Sequence, residues 1–487
     1  MLHAFATISF MVTMNSSTTL KMLFPISIAV YIAACLAFYF HAVDLNPQYD
    51  TQAIRYGVEM FKAMTDGNLW QWITEPPARK YPMLYVAPFT FAFKVISGEG
   101  LTLLQEHYAS RAITLLYAFG LLAVVWRIAV KFFGEGRSTI ILLFTSLNFF
   151  MFATAVRPHI AVAFWTTLTL YASILMREDN AKPRFTYLTF ISAMCAFATL
   201  QSGLFAFIFP VHAFLEKNSS KIQIAKVGFA TLLSITISLC IGYPQMFFAF
   251  LGMTSGHIDA SMGHDVGFDV LPFLIPQKIW MLFASDAILC LFAILGTHAV
   301  RKRHDRYTPI FYYIIAFTIV FGMQGITSIR FFLPLLPMLA LLGAEKLRHE
   351  KFAQVLLLIC IVLAYAKLSY LALQPNTFQQ ASKYISEKND YFLSTNIPNY
   401  FMNLPYSAYA TNLTPIDSVE FLMTATDKDE GIESLPLCTA FIATTTATKA
   451  AGTPYMFFWN DMQWPQFYLF FTRSLGQNLR LYCHNPE

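Results

Sequence analysis

Apolar residues in this chain come in long blocks, without the alternation or one-face periodicity of a soluble fold. An apolar run of about 17–25 residues is long enough to cross a bilayer as a helix. Such runs fall near 22–43, 108–131, 138–156, 159–176, 185–201, 203–215, 226–243, 278–299, 308–324, 331–346 and 352–373. The run at 82–97 differs: it is short, opens on Pro82, contains Pro88 and carries Lys94. The pattern predicts an all-α polytopic membrane protein with about eleven transmembrane helices, in which 82–97 dips into the bilayer without crossing.

The polar stretches between the runs predict orientation, because short cytoplasmic loops collect Lys and Arg. Arg301, Lys302, Arg303 and Arg306 form the densest cluster. Lys131 with Arg137, Arg177 with Lys182 and Arg184, Lys217 with Lys221 and Lys226, and Arg348 with Lys351 then fall on the same side. The loops 40–82 and 244–277, Arg157-Pro158-His159 and the tail from about 374 fall on the other side. A crossing at 82–97 would separate loop 40–82 from Arg157, whereas a dip keeps them together. The tail is rich in Asn, Thr, Ser, Pro and Asp and has no spanning run. Its segment 438–448, CTAFIATTTAT, reads as a strand, and SEKNDYFLSTNIPN reads as a turn-rich connector. Two parts are expected: a transmembrane domain over 1–373, the part that would hold any catalytic site, and a small C-terminal α+β exoplasmic domain over 374–487.

Composition supports this class. Hydrophobic residues make up 56% of the 487, charged residues 13%, and mean hydropathy is +0.51. Soluble chains are roughly one-quarter charged. The net charge of +5 sits largely in short loops, which suits helix-end anchoring and argues against nucleic acid as a partner. Of the seven Cys, Cys35, Cys195, Cys240, Cys290 and Cys360 lie in apolar runs. Cys438 and Cys483 lie in the tail, where they pair if that side is oxidising. The first twenty residues lack a basic start and a cleavage site, so no signal peptide is expected. No internal duplication of the kind common in transporters stands out.

Candidate chemistry concentrates in 40–82. This stretch carries Asp44, Asp50, Arg55, Glu59, Arg79 and Lys80 among Tyr49, Tyr56, Trp70, Trp72 and Tyr81. Asp44 or Asp50 is the candidate general base for an acceptor hydroxyl, with Tyr49 placed to stack on a sugar. Arg79 and Lys80, in a Pro-stiffened segment, are candidates to grip a lipid-linked phosphate; otherwise they are interfacial anchors. Arg330 is a further phosphate contact or anchor. Arg157 and His159 shape the site, or anchor a helix start. In the outer loop, His257, Asp259, His264, Asp265 and Asp269 resemble a ligand set for a divalent metal, the one cofactor candidate; a solvated, flexible loop is the better explanation of this composition.

Taken in order, these motifs resemble the GT-C superfamily of polyprenyl-phosphate-sugar-dependent glycosyltransferases. They comprise a first helix, an acidic outer loop, a basic-Pro segment, Arg157-Pro158, and Arg330-Phe331 followed by Pro334 and Pro337. The protein O-mannosyltransferase and aminoarabinose-transferase group is the most similar. The resemblance covers about 22–345 and implies an exoplasmic active site with an Asp after the first helix. The chain departs from the pattern in having Asp44-Leu45 for Asp-Glu, Lys80-Tyr81-Pro82 for Lys-Pro-Pro, and His159 where many members have Asp. Leu69-Trp70-Gln71-Trp72 is also similar to dolichol-linked mannosyltransferases. The implied function is transfer of a hexose-like sugar from a polyprenyl-phosphate carrier to a lipid, glycan or protein acceptor. The membrane would be a bacterial inner membrane or the endoplasmic reticulum. The alternative is a transporter or flippase for a lipid-linked or amphipathic solute, which a buried ionisable residue in mid-helix would support.

Overall fold

A computed structural model describes residues 16–41, 47–74, 82–96, 103–178, 183–217, 220–244, 274–300, 304–323, 329–386, 393–395, 409–410, 421–425, 437–443, 469–475 and 479–484. The chain begins with α1 (Ser16–His41), then α2 (Pro47–Thr65), α3 (Leu69–Thr74), α4 (Met83–Ile96) and α5 (Leu103–Phe133). A sharply bent pair follows, α6 (Arg137–Phe144) and α7 (Leu147–Thr154). Next come α8 (Pro158–Glu178), α9 (Pro183–Thr199), a 3-10 helix over Gln201–Phe207, α10 (Ile208–Lys217) and α11 (Lys221–Gly242). A second bent pair is α12 (Leu274–Ser285) and α13 (Ala287–Val300). The bundle closes with α14 (His304–Gly322), a 3-10 helix over Ile329–Leu335, α15 (Leu336–Leu347) and α16 (Lys351–Leu373). The tail holds α17 (Thr377–Ser386) and strands β1 (Leu393–Thr395), β2 (Tyr409–Ala410), β3 (Phe421–Ala425), β4 (Leu437–Ala443) and β5 (Leu479–His484).

This is a multi-pass membrane protein. Among the described residues five helices are long and apolar enough to cross a membrane: α1, α5, α8, α11 and α16. The total rises to seven when each bent pair counts as one span. The predicted runs at 138–156 and 278–299 are therefore not straight spans: the first pair bends by 80°, the second by 109°. The runs at 203–215 and 331–346 each begin as 3-10 helix. The causes are local. Ser146 caps α7 by accepting from the Phe149 amide at 3.0 Å, which favours a new helix start over continuation. At Gly203 an added Cβ would lie 2.1 Å from the Ala196 carbonyl, so the α9 turn closes only around glycine. Pro334 and Pro337 interrupt the amide ladder of the later run.

The bundle has two distinct ends. At one, the last turn of α1 docks on the first turns of α5: Arg111 Nη1 donates to the Phe38 carbonyl at 2.9 Å, and Tyr39 Oη to the Tyr108 carbonyl at 3.1 Å. The chain thus leaves and re-enters the bundle at the same end, and α2–α4 make no net passage. α4, at 14 residues, reaches only about 21 Å. α2 lies against it through buried Ile54, Met60 and Gly57, and Thr90 Oγ1 donates to the Gly57 carbonyl at 3.2 Å. At the opposite end Lys131 pairs with Glu178 and Arg177 with Glu216. There Phe133 stacks on Tyr307, and Arg348 donates to the Phe133 carbonyl at 3.4 Å. Lys131, Arg177, Arg306 and Arg348 therefore gather at one end, the grouping the loop charges predict.

Between the ends lies a core of stacked aromatics. Tyr31 stacks on Phe144 at 4.2 Å and meets Tyr365 edge-on at 5.3 Å, and both tyrosines are fully buried. Tyr365 Oη donates to the Phe144 carbonyl at 2.9 Å, which satisfies an acceptor left open where α6 stops. The second break meets the first here. Asp286, between α12 and α13, is buried; its Oδ2 accepts from Asn148 Nδ2 at 2.9 Å and from Ser285 Oγ at 3.0 Å. In the tail, the sheet runs β2-β1-β3-β5-β4, with β1 parallel to β2 and β3 and with β5 antiparallel to β3 and β4. The strand predicted over 438–448 occurs as β4, and α17 packs on β4 and β5. Replacement of Asp286 by Ala is expected to lower stability by about 1–3 kcal/mol, because Asn148 loses its acceptor in a dry interior, whereas Ser285 keeps the Leu282 carbonyl. Asp286→Asn should lose less. Thermal unfolding in detergent reads both.

Candidate active site

The end where α1 meets α5 also holds the start of α8. Val156 and Ala161 pack with Ala109 of α5, Ile54 and Met60 of α2, and Phe89 and Phe93 of α4. The amphipathic helix after α1 and the Arg157-Pro158-His159 turn therefore share one apolar platform. Pro158 suits the first position of α8, where its missing N–H costs nothing. That placement holds Arg157 just outside the helix and His159 in its first turn.

Arg330, far away in sequence, joins them. The 3-10 helix Ile329–Leu335 packs on α8. His159 sits edge-on to Phe331 with ring centres 5.1 Å apart, and against Phe152 of α7 at 5.9 Å. The Arg330 guanidinium lies 5.3 Å from the centre of the Phe331 ring. Both Arg157 and Arg330 act electrostatically on His159. Arg157, His159 and Arg330 are 5%, 4% and 8% exposed. Two guanidinium cations held together with so little water is an arrangement that suits a bound anion. Both ring nitrogens of His159 are buried and have no hydrogen-bond partner among the described residues. Such groups are costly, and in native proteins they mark a bound water or ion, stored strain or a catalytic role.

Of the residues singled out from the sequence, these three are brought together. Tyr49 and Asp50 fall in the first turn of α2. Asp44, Arg79 and Lys80 lie outside the described residues, as do His257, Asp259, His264, Asp265 and Asp269. Among the described residues no three His, Cys, Asp or Glu side chains gather closely enough to hold a metal.

Two groups at this end escaped the sequence reading. Arg111 and His107 are buried on α5 beside the end of α1, and Arg111 acts electrostatically on His107. The available signal was a cation only a few residues inside an apolar run. Asp286 was missed for the same reason: an acidic residue in mid-run is expensive in lipid and marks structure or function.

No family model and no curated protein sequence matches the chain. Among solved structures, ArnT from Cupriavidus metallidurans in the apo state aligns over 93% of this chain and 97% of its own, at 10% identity and a TM-score of 0.50. The chain shares its fold with ArnT. The crystal structure of the same ArnT bound to undecaprenyl phosphate covers the same shares at 10% identity with a TM-score of 0.48. ArnT is an aminoarabinose transferase of the GT-C type, so the resemblance drawn from the sequence holds at the level of fold. The ArnT-like alignment runs through the tail as well as the bundle, since it leaves out only a small fraction of either chain.

His159→Phe keeps the ring contacts to Phe152 and Phe331 while removing two unsatisfied nitrogens. The variant is expected to unfold at the same temperature as the parent or slightly above it, a gain of up to about 1–2 kcal/mol. A large drop in thermal stability would show that the nitrogens are already satisfied.

Proposed function

We propose that this chain is an integral membrane glycosyltransferase that moves a sugar from a polyprenyl-phosphate carrier to an acceptor at the exoplasmic face. One observation carries the reading: the buried Arg157–His159–Arg330 cluster at one end of an ArnT-like bundle. In this reading the two guanidiniums, with Arg79 and Lys80, hold the phosphate of the donor. They also stabilise the charge that builds on it as the glycosidic bond breaks. His159 supplies a hydrogen bond to the donor. Asp44 or Asp50 takes the proton of the acceptor hydroxyl, and Tyr49 stacks on the sugar. The sugar is hexose-like, and the acceptor is a lipid, glycan or protein.

The same reading gives eleven passes, α1, α5, α6–α7, α8, α9, the 3-10 helix with α10, α11, α12–α13, α14, the 3-10 helix with α15, and α16. The support is the alternation of contacts between the two ends. It assigns the Lys131–Arg348 end to the cytoplasm and residues 374–487 to an exoplasmic α+β domain. The strand register adds weight, because Cys438 stands directly opposite Cys483 in neighbouring antiparallel strands. Backbone separations in such pairs match those of disulfides. Non-reducing peptide mapping of protein from intact membranes is expected to find Cys438 linked to Cys483. Two alkylatable thiols in native membranes would argue for a reducing side.

The decisive variant is Asp44→Asn with Asp50→Asn. Sugar transfer from a polyprenyl-phosphate donor is expected to fall by at least about a hundredfold, the usual contribution of a general base, with thermal stability unchanged. Full activity in the double variant would end this reading. A second reading, a transporter, draws on one observation: the carboxyl of Asp286 buried at a helix break. Uptake into proteoliposomes with no covalent product would favour it. The two hydrogen bonds accepted by Asp286 Oδ2 favour a bracing role instead.

A further inference from the structure

The end of the bundle opposite His159 contains a cavity of about 410 Å³, lined by Lys131, Phe132, Ile174, Arg177, Glu178, Ala213, Glu216 and Arg306. Its volume falls in the range of small-molecule sites. Three helices, α5, α8 and α10, end here, and α14 begins here. The charged lining has a definite order. Lys131 pairs with Glu178, and Arg177 with Glu216, the cations half-buried and the carboxylates exposed. Arg306 is exposed and makes no ion pair among the described residues. Among the described residues the lining therefore carries three cations and two carboxylates, an excess of one positive charge. Its remaining lining is apolar: Phe132, Ile174 and Ala213.

We propose that this cavity binds the headgroup of a zwitterionic aminophospholipid. The phosphodiester, with one negative charge, sits on Arg306 flanked by Lys131 and Arg177 and offsets the excess cation. The primary ammonium, with three N–H donors, reaches Glu178 and Glu216. The glycerol end of the lipid lies along Phe132, Ile174 and Ala213. A purely anionic headgroup would set no cation against the two carboxylates. A quaternary choline offers them no N–H donor. The site lies at the rim of a membrane protein, where lipid is the most concentrated phosphate, and it stands apart from the proposed catalytic end.

The test uses the purified full-length protein in mixed micelles containing equal amounts of phosphatidylethanolamine, phosphatidylcholine and phosphatidylglycerol with identical acyl chains. Native mass spectrometry counts the retained lipids. The parent is expected to retain phosphatidylethanolamine over both others. Arg306→Gln should weaken that binding at least about tenfold, the usual loss of a charge-assisted hydrogen bond, while Arg306→Lys keeps it. Glu178→Gln with Glu216→Gln should abolish the preference for ethanolamine over choline. Solvent-exposed pairs contribute little to stability, so this double variant folds. Equal retention by the parent and Arg306→Gln, a preference for phosphatidylglycerol, or equally tight binding of soluble phosphoethanolamine would each overturn the proposal.

Discussion

The hydrogen bond from Asn148 to Asp286 joins the two sharp bends found in apolar runs among the described residues. A bilayer interior supplies no water to amides and carbonyls released at a break, so each must find a partner within the protein. Here the partners are specific. Tyr365 takes the Phe144 carbonyl, Ser146 takes the Phe149 amide, and Asp286 draws Asn148 and Ser285 into one buried knot. The knot fixes the 80° turn between α6 and α7. The end of α7 in turn determines where Arg157 emerges, three residues later. The polar end of the bundle is thus set from its centre.

The two ends use charge differently. Near Arg157 and Arg330 the cations are buried, and the imidazole beside them has no hydrogen-bond partner among the described residues, an arrangement suited to a bound anion. At the Lys131 end the charges are wet and mostly paired with carboxylates, which costs little and stabilises little. The first arrangement is suited to chemistry and the second to anchoring and to a polar lipid headgroup. The alternation of helix direction keeps them apart along the length of α8.

Much of the fold was legible in the chain because membrane spanning demands long apolar runs, and loop cations mark their ends. The gathering of Lys131, Arg177, Arg306 and Arg348 follows from loop charge alone. The return of α2 to the same end as Arg157 needed more than charge: it required 82–97 to dip without crossing, which its short length, Pro82, Pro88 and Lys94 suggested. The helix breaks were not legible as breaks: Thr145-Ser146 and Ser285-Asp286 are small or polar residues inside apolar runs, and a hydropathy window averages them away. For the site, Arg157, His159 and Arg330 could be singled out one by one, since each opens an apolar segment. Their meeting could not, because it depends on the 3-10 helix Ile329–Leu335 packing on α8. Arg111 was hidden within the run that became α5, and His107 stands just before it.

The central claim is that a lipid-linked phosphate binds at the Arg157 end. It is tested most directly by determining the structure of the protein with an added polyprenyl phosphate. The account predicts phosphate density within hydrogen-bonding distance of Arg157 or Arg330, beside His159. Phosphate density in the Lys131–Arg306 cavity, with the Arg157 end empty, would contradict it.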